Sequence, residues 1–542
     1  MTGHGGGAAT TTATDPELAE VDQGVEQGHG SESFFIVDEG MVGEARGGRA
    51  HVATAAAAAA TPKFRFTRIG PKGKPNTRAV RKTVAKAMTA GGGGDSDIPA
   101  GYTYLGQFID HDLTFDRTNV ALGTDITPAE MKQARSPALD LDSLYGAGPA
   151  DEGSKRFYQD DRRRLRMGRT EAVGSGPLDA HEGFDLPRSD SRKRATIPDP
   201  RNDENLAVAQ THLALARFHN RVVGTLGSVP AADRFKEARR LVVKHYQWMV
   251  RHDYLPRICD SAVVDDVFTN GRKIFEVGAS RDQVPTMPIE FSVAAFRLGH
   301  SMIRRAYNWN KEFDDGSGAL FFLFSFSGTS GDLGQGVRLP SNSIADWRRL
   351  YEFEQAALKV PAPKSNRARR IDTLLSNPLK ELPPGSFGAK QPPGDAIEAN
   401  LAFRNLARAK MVDLATGQGM VQRLQSKGVA VTPLTKAEIR DGNGGASIAG
   451  LSAQERTAFL EHTPLWFYIL REAEFNGGKL DGVGARIVAE TIHRAIQGSR
   501  ISILRDTAFK PSLGPSAPAR FDMRDLLFFA FEGKKALLAP LG

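Results

Sequence analysis

The sequence predicts a mainly α protein, built as a single large helical domain with long loops and little β-structure. Three observations predict it. Segments of a dozen residues or more carry apolar side chains at helical spacing. Stretches rich in charge, proline and glycine separate them. Of the 542 residues, 40% are hydrophobic, enough to bury a sizeable core, and no internal repeat is visible.

The elements follow in order. Residues Met1 to Thr61 are rich in Gly, Ala, Thr and acidic groups and read as a disordered or extended arm, with residues 62–542 as the folded domain. Gly91–Gly94 is a hinge, and a helix is expected over Gly101–Phe115 after a turn at Pro99. Asp151–Pro200 is charged, with scattered Gly and Pro, and reads as a long surface excursion. Asn205–Leu226 and Glu237–Tyr254 read as helices, the second stopping before Pro256. Pro288–Tyr307 reads as another helix. Ser317–Ser327 is a strand or a buried segment, which periodicity does not settle. Pro361–Pro393 is loop-like, and Ile397–Val421, Ala453–Glu472 and Gly482–Ile496 read as helices.

Composition excludes several classes. The net charge of +8 is mild for this length, and the basic runs Arg162–Arg166 and Ser191–Arg194 are interleaved with aspartates, so they read as solvated loops. No base-reading motif accompanies them, and no nucleic-acid partner is expected. The single cysteine, Cys259, allows no internal disulfide and no Cys-rich zinc or iron–sulfur site. It reads as a buried thiol. The first residues lack the basic and apolar regions of a cleavable signal, and Ala55–Ala60 is too short to span a bilayer. The expectation is a chain without a transmembrane segment, cytoplasmic or exported by a route without a signal peptide. The sequence has no G-x-S-x-G elbow and no H-E-x-x-H pair, which argues against a hydrolase.

Four polar clusters sit in or beside apolar helices. In Gln107-Phe-Ile-Asp110-His111-Asp112, Gln107 and His111 share a helix face, while Asp112 lies about 100° further round. Burying so many polar groups costs free energy unless each has a partner. In Asp199-Pro-Arg201-Asn-Asp-Glu204-Asn205, Arg201 and Glu204 could face one site, or the stretch could be a helix cap. In Arg297-Leu-Gly299-His300, a glycine beside the histidine would let a flat cofactor approach the backbone; the alternative is a core histidine. In Arg404-Asn405-Leu-Ala-Arg408, Asn405 can accept a hydrogen bond and Arg408 can pair with a carboxylate. Separately, Ser136, Ala138, Asp140 and Asp142 alternate in a loop, as oxygen ligands for calcium can, with Asp112 available as a third carboxylate; a plain Asp-rich turn would look the same.

Taken in order, YTYLGQFIDHDLTFD, LDLDSLYG, DPRNDEN with THLALARFHNRVV, HYQWMVRHDYLP, FRLGHSMI and NLAFRNLAR resemble the animal-type haem peroxidases of the peroxidase–cyclooxygenase superfamily. TPLWFYILREAEF and GVGARIVAETI resemble its bacterial members. The resemblance runs from about Pro62 to about Arg505. It implies a haem b enzyme that reduces hydrogen peroxide and oxidises a small donor such as a phenol or halide. By position, it implies His111 as the distal acid–base residue, Gln107 as its polar neighbour and Arg201 as the distal arginine. His300 takes the iron-ligand position, Arg297 a propionate partner, and Asn405 the acceptor for the proximal imidazole, with Arg408 beside it. Asp110 and Glu204 match carboxylates that can esterify the haem. Asp112, Ser136, the Ala138 carbonyl, Asp140 and Asp142 match a calcium site. Two departures stand out. Asn205 replaces a methionine that in one member bonds a haem vinyl group. Arg297 stands where cyclooxygenases carry their radical tyrosine, which argues against the alternative of a fatty-acid dioxygenase. A haem-binding adhesion or sensor protein is the other alternative; it would need neither His111 nor Arg201.

Overall fold

A computed structural model describes residues 64–118, 120, 122–173, 183–188, 193–328, 333, 336–382 and 395–542. The expected arm over residues 1–61, and Ser191 and Arg192 of the second basic run, lie outside them. The described chain is mostly helical, and its strands form four short two-stranded pairs, such as Phe66–Thr67 parallel to Met287–Pro288 and Asp95–Pro99 antiparallel to Arg367–Arg369.

Helix α1 (Arg78–Met88) starts where the Thr77 hydroxyl accepts from Val80 N, and it buries Val80, Val84 and Met88. It packs on a later helix, Leu401–Met411. Gly91, Gly92 and Gly93 have φ of 88°, 99° and 75°, a backbone region where only glycine is unstrained, which accounts for glycine at these three positions. Helix α2 (Gly101–Leu113) is buried at every residue. Its apolar side chains Leu105, Phe108 and Ile109 join the core, so its polar ones must find partners inside the protein. It lies against α3 (Leu206–Thr225), whose first turn is capped by the Asn205 side chain on Val208 N, 3.0 Å.

Four expected helices differ. Helix α4 (Arg234–Met249) does not stop before Pro256. It widens into a π-turn over Val250–Tyr254 and resumes as Leu255–Ile258. That places Pro256 in a fresh first turn, where a missing N–H is tolerated. The segment Pro288–Tyr307 is not one helix. A turn of α-helix at Ile289–Ser292 breaks at Ala294 (φ −136°, ψ −70°), and a 3-10 helix follows over Ala295–His300. The Arg297 side chain donates to the Ser292 carbonyl freed by the break, 3.0 Å. Ser317–Ser327 resolves into a strand at Gly318–Ala319 and helix α5 (Leu320–Ser325).

Further along, Ile397–Val421 is two helices, α6 (Leu401–Met411) and Gly417–Gln425, the second capped by Thr416. Pro464 likewise divides the expected Ala453–Glu472 helix, leaving α7 as Leu465–Phe475. Helix α8 (Gly482–Gly498) matches its expectation closely. Buried apolar side chains from Phe66 to Leu538 form one contiguous cluster. Cys259 is buried in it, which pushes its thiol far up and makes it inert. In the first basic run, Arg164 and Arg166 pair with Asp161 and Asp160 at the surface. Among the described residues no helix is long and apolar enough to cross a membrane.

Candidate active site

The polar face of α2 meets the turn Pro200–Asp203 and the start of α3. His111 Nδ1 lies 2.9 Å from Asn202 Oδ1. Asn202 Nδ2 in turn lies 3.1 Å from His212 Nδ1 on α3. His111 Nε2 is buried and makes no hydrogen bond, with Glu204 Oε1 3.5 Å away. Gln107 donates to that same Glu204 oxygen, and its own amide oxygen accepts from Asn205 Nδ2 at 3.1 Å. So Gln107, His111, Glu204 and Asn205 do converge. Asn202 and His212 were not singled out from the sequence. The available signal was the polar Asn202 inside DPRNDEN and the lone His212 among Leu and Ala of α3.

Arg201 is placed differently from expectation. Its guanidinium grips Asp199, Nε to Oδ1 at 3.1 Å and Nη2 to Oδ2 at 2.8 Å. It also donates to the carbonyls of His111 (3.0 Å) and Thr114 (2.5 Å) and lies over the Phe115 ring. It thus clamps the C-terminal end of α2. Burial opposes the charge on Asp199, but Arg201 and Arg135 outweigh it and hold this carboxyl well below the usual range.

On the opposite side, the 3-10 geometry stacks residues three apart, so Arg297 and His300 lie one above the other. His300 is fully buried, and its Nε2 has no hydrogen-bond partner. Burial, then the Arg297 charge, hold its pKa well below the ordinary value, so the ring is neutral. His300 Nδ1 lies 2.7 Å from Asn405 Nδ2 on α6, and Arg297 donates to Asn405 Oδ1. The sequence had suggested that the amide oxygen faces the ring. Arg297 donates to that oxygen, and here the amide nitrogen lies toward the ring. Arg408 is bound to Asp116, and Arg404 Nη1 donates to the Glu398 carbonyl.

Between the two sides lies a small cavity. Gln107, Asp110 and Asn205 line it from the side of α2 and α3, Gly299 and His300 from the other, with Leu320 and Phe324 of α5. A Cβ built on Gly299 would meet no atom within 4 Å, so the backbone beside His300 borders open space. A buried, neutral imidazole with an unpartnered nitrogen, next to that space, fits an iron-bound planar group.

Asp112 leaves α2 on its other side, as its spacing required. It accepts from Ser143 Oγ (2.8 Å), Ser143 N (3.3 Å) and Leu141 N (3.2 Å). Asp142 accepts from Ser136 N at 3.2 Å and faces Arg135. Asp140 Oδ1 is buried without a hydrogen bond. Burial and the neighbouring carboxylates raise Asp112, and Asp140 is pushed up to about 7 by burial and Asp142. Among the described residues no group of three or more His, Cys, Asp or Glu side chains is arranged to hold a metal ion. The donor chemistry here suits a hard cation; Asp112 and Asp142 are instead closed onto N–H and O–H groups.

The family model described as animal haem peroxidase matches residues 117–322. Thyroid peroxidase from Canis lupus familiaris is 28% identical over 219 residues, 35% of this chain and 22% of that protein. Chorion peroxidase from Drosophila melanogaster is 27% identical over 414 residues, 74% of this chain and 46% of that protein. The chain is similar to animal haem peroxidases over these stretches. The family match contains Arg201, Glu204, Arg297 and His300; His111 and Asn405 lie outside it. The chain spans less than half the length of these relatives. In fold, it is similar to peroxidase A from Dictyostelium discoideum (TM-score 0.51, 15% identity, 81% of this chain and 87% of that one). It is equally similar to a fatty acid alpha-dioxygenase from Arabidopsis thaliana (TM-score 0.52, 12% identity, 86% and 75%). The family that residues 117–322 match implies haem as the cofactor.

Proposed function

We propose that this protein is an animal haem peroxidase that reduces hydrogen peroxide and oxidises a small donor. The observation that carries the reading is a pair of buried histidines on separate elements, each with an Nε2 that makes no hydrogen bond among the described residues: His300 lines the cavity, and His111 sits one helical turn from Gln107, which lines its other side. His300 would hold the iron through Nε2. Asp110, on the cavity wall, and Glu204, beside Gln107, are the carboxylates that would form any ester links. The haem iron, when bound, supplies the chemistry that cleaves the O–O bond.

The protein's own groups then do the rest. His111 takes a proton from peroxide at Nε2 and returns it to the departing oxygen, which leaves as water. Gln107 keeps Glu204 engaged, so that carboxylate does not close onto His111. Arg201 holds the last turn of α2 by its two carbonyls, and its charge, offset by Asp199, adds to the field at the site. On the proximal side, iron ligation through Nε2 requires the proton on His300 Nδ1. Asn405 must then offer Oδ1, whose two lone pairs can serve both Nδ1–H and Arg297. Asn405→Asp would make that acceptor an anion and give His300 more imidazolate character. A lower haem reduction potential by redox titration is the expected result; an unchanged potential would place Asn405 outside this role.

Calcium is proposed at Asp112, Asp140, Asp142, Ser136 and the Ala138 carbonyl. Its support is the cost of gathering three carboxylates, Asp112 buried and Asp140 and Asp142 partly so. The sign can be worked out. A carboxyl raised from 3.8 to about 7 in the fold stabilises it below the unfolded pKa and loses that contribution as pH rises toward 7. A bound cation removes the loss. Chelation should therefore lower the melting temperature and the turnover at pH 8, with little effect on stability near pH 4. Equal melting temperatures at pH 8 after verified metal removal would reject the site.

The fatty-acid dioxygenase reading needs an oxidisable residue three positions before the proximal histidine. Position 297 is an arginine bound to Asn405 and Ser292. Oxygen uptake with a polyunsaturated fatty acid tests it, and none is expected.

A further inference from the structure

We propose that Asn202 and His212 act as a positioning pair that fixes which ring nitrogen of His111 carries the proton. The inference rests on the reading of His111 as the base for peroxide. Three elements supply the three side chains: α2 gives His111, the Pro200–Asp203 turn gives Asn202, and α3 gives His212. All three are at most 3% exposed, so no solvent competes for their hydrogen bonds.

The logic lies in the amide. One end of Asn202 is an acceptor and the other a donor, and neither can reverse without the other. Its oxygen sits 2.9 Å from His111 Nδ1 and its nitrogen 3.1 Å from His212 Nδ1. His111 Nδ1 must then be a donor, which leaves a lone pair on Nε2, the form a base requires. His212 Nδ1 must be an acceptor. Burial pushes His212 down to about 3, so the ring stays neutral and keeps that lone pair. The Phe108 ring meets it edge-on at 6.0 Å and restrains its plane. Reversing the amide would require a proton on His212 Nδ1, and it would force the His111 proton onto Nε2.

The other groups facing His111 show why such a device is needed. Glu204 Oε1, 3.5 Å from Nε2, favours a proton on Nε2, the unproductive form. Gln107 occupies that oxygen. Asp199 lies nearby with its charge taken up by Arg201 and Arg135, and Arg201 meets His111 at its backbone carbonyl. Among the described residues the Nδ1 contact is therefore the one hydrogen bond of the His111 ring, and it decides the tautomer.

The test uses the full chain with ring-¹⁵N histidine. The His111 signals are identified by their loss in His111→Gln. Wild type should show a protonated Nδ1 and a bare Nε2. Asn202→Leu should move the proton toward Nε2, and His212→Leu should shift the same signals from the far end of the relay. Asn202→Asp keeps the acceptor and should restore the wild-type pattern. In haem-loaded protein, Asn202→Leu should slow the peroxide step about 10- to 100-fold, since a base held in the wrong tautomer can lose up to about 10⁴. Oxidation of the donor should keep its rate, and Asn202→Asp should recover the peroxide step. His111 nitrogen signals that do not change in Asn202→Leu or His212→Leu would overturn the proposal. If Asn202→Leu does not fold, His212→Leu and Asn202→Asp still decide it. If the tautomer shifts as expected but wild type does not react with peroxide, the pair stands and the peroxidase reading fails.

Discussion

Replacing His300 with alanine should abolish haem binding in a protein that remains folded. The expectation follows from what the ring does and does not do. Its Nε2 has no hydrogen-bond partner, so no contact of that nitrogen with the protein is lost. Its Nδ1 contact with Asn405 is replaceable, because Asn405 also receives Arg297. The structural cost is that of a small buried void, about 2–3 kcal/mol, a tolerable loss for a large core. The cost to the cofactor is its bond to iron. Even the residues behind a metal ligand are worth about 10- to 100-fold in affinity, so losing the ligand itself should exceed that. Haem titration followed by absorbance reads the result, with circular dichroism as the check on folding. Adding imidazole to His300→Gly should restore part of the binding. Haem retained at wild-type affinity by His300→Ala would remove the residue from its role.

The second large effect is expected from His111→Ala. This variant should bind haem normally and react with peroxide about 10²- to 10⁴-fold more slowly, the range a positioned acid–base group contributes. His111 Nε2 makes no hydrogen bond in the fold, and the ring's recorded hydrogen bond goes to Asn202. Its loss therefore leaves the cavity wall of Gln107, Asp110 and Asn205 in place. Stopped-flow measurement of the peroxide step separates it from donor oxidation. A variant that turns over normally would sink the assignment.

Much of this site was legible because helical spacing is a rigid constraint. Gln107 and His111 had to share a face, and Asp112 had to leave on another; the structure puts Gln107 and His111 at Glu204 and sends Asp112 to Ser143. The Gly299–His300 pair was legible for a steric reason, and the open space beside Gly299 agrees. What was not legible depends on contacts between distant segments. Asn202 and His212 are ordinary residues until the fold places them behind His111. Arg201 and Arg297 were assigned to the cofactor by position, yet the nearest acceptors, Asp199 and Asn405, take their guanidinium groups. Among the elements, the misreadings fall where a helix changes its pitch. Periodicity sees apolar faces on both sides of the π-turn at Val250–Tyr254 and of the break at Ala294, and it has no term for a local change of hydrogen-bond register.

The central claim is a haem site that reacts with peroxide. An absorption spectrum of the purified, haem-reconstituted protein, taken before and after one equivalent of hydrogen peroxide, tests it most directly. The account predicts a Soret band that shifts on adding peroxide and returns on adding a phenol. A Soret band that peroxide leaves unchanged, or no Soret band from folded protein, would contradict it.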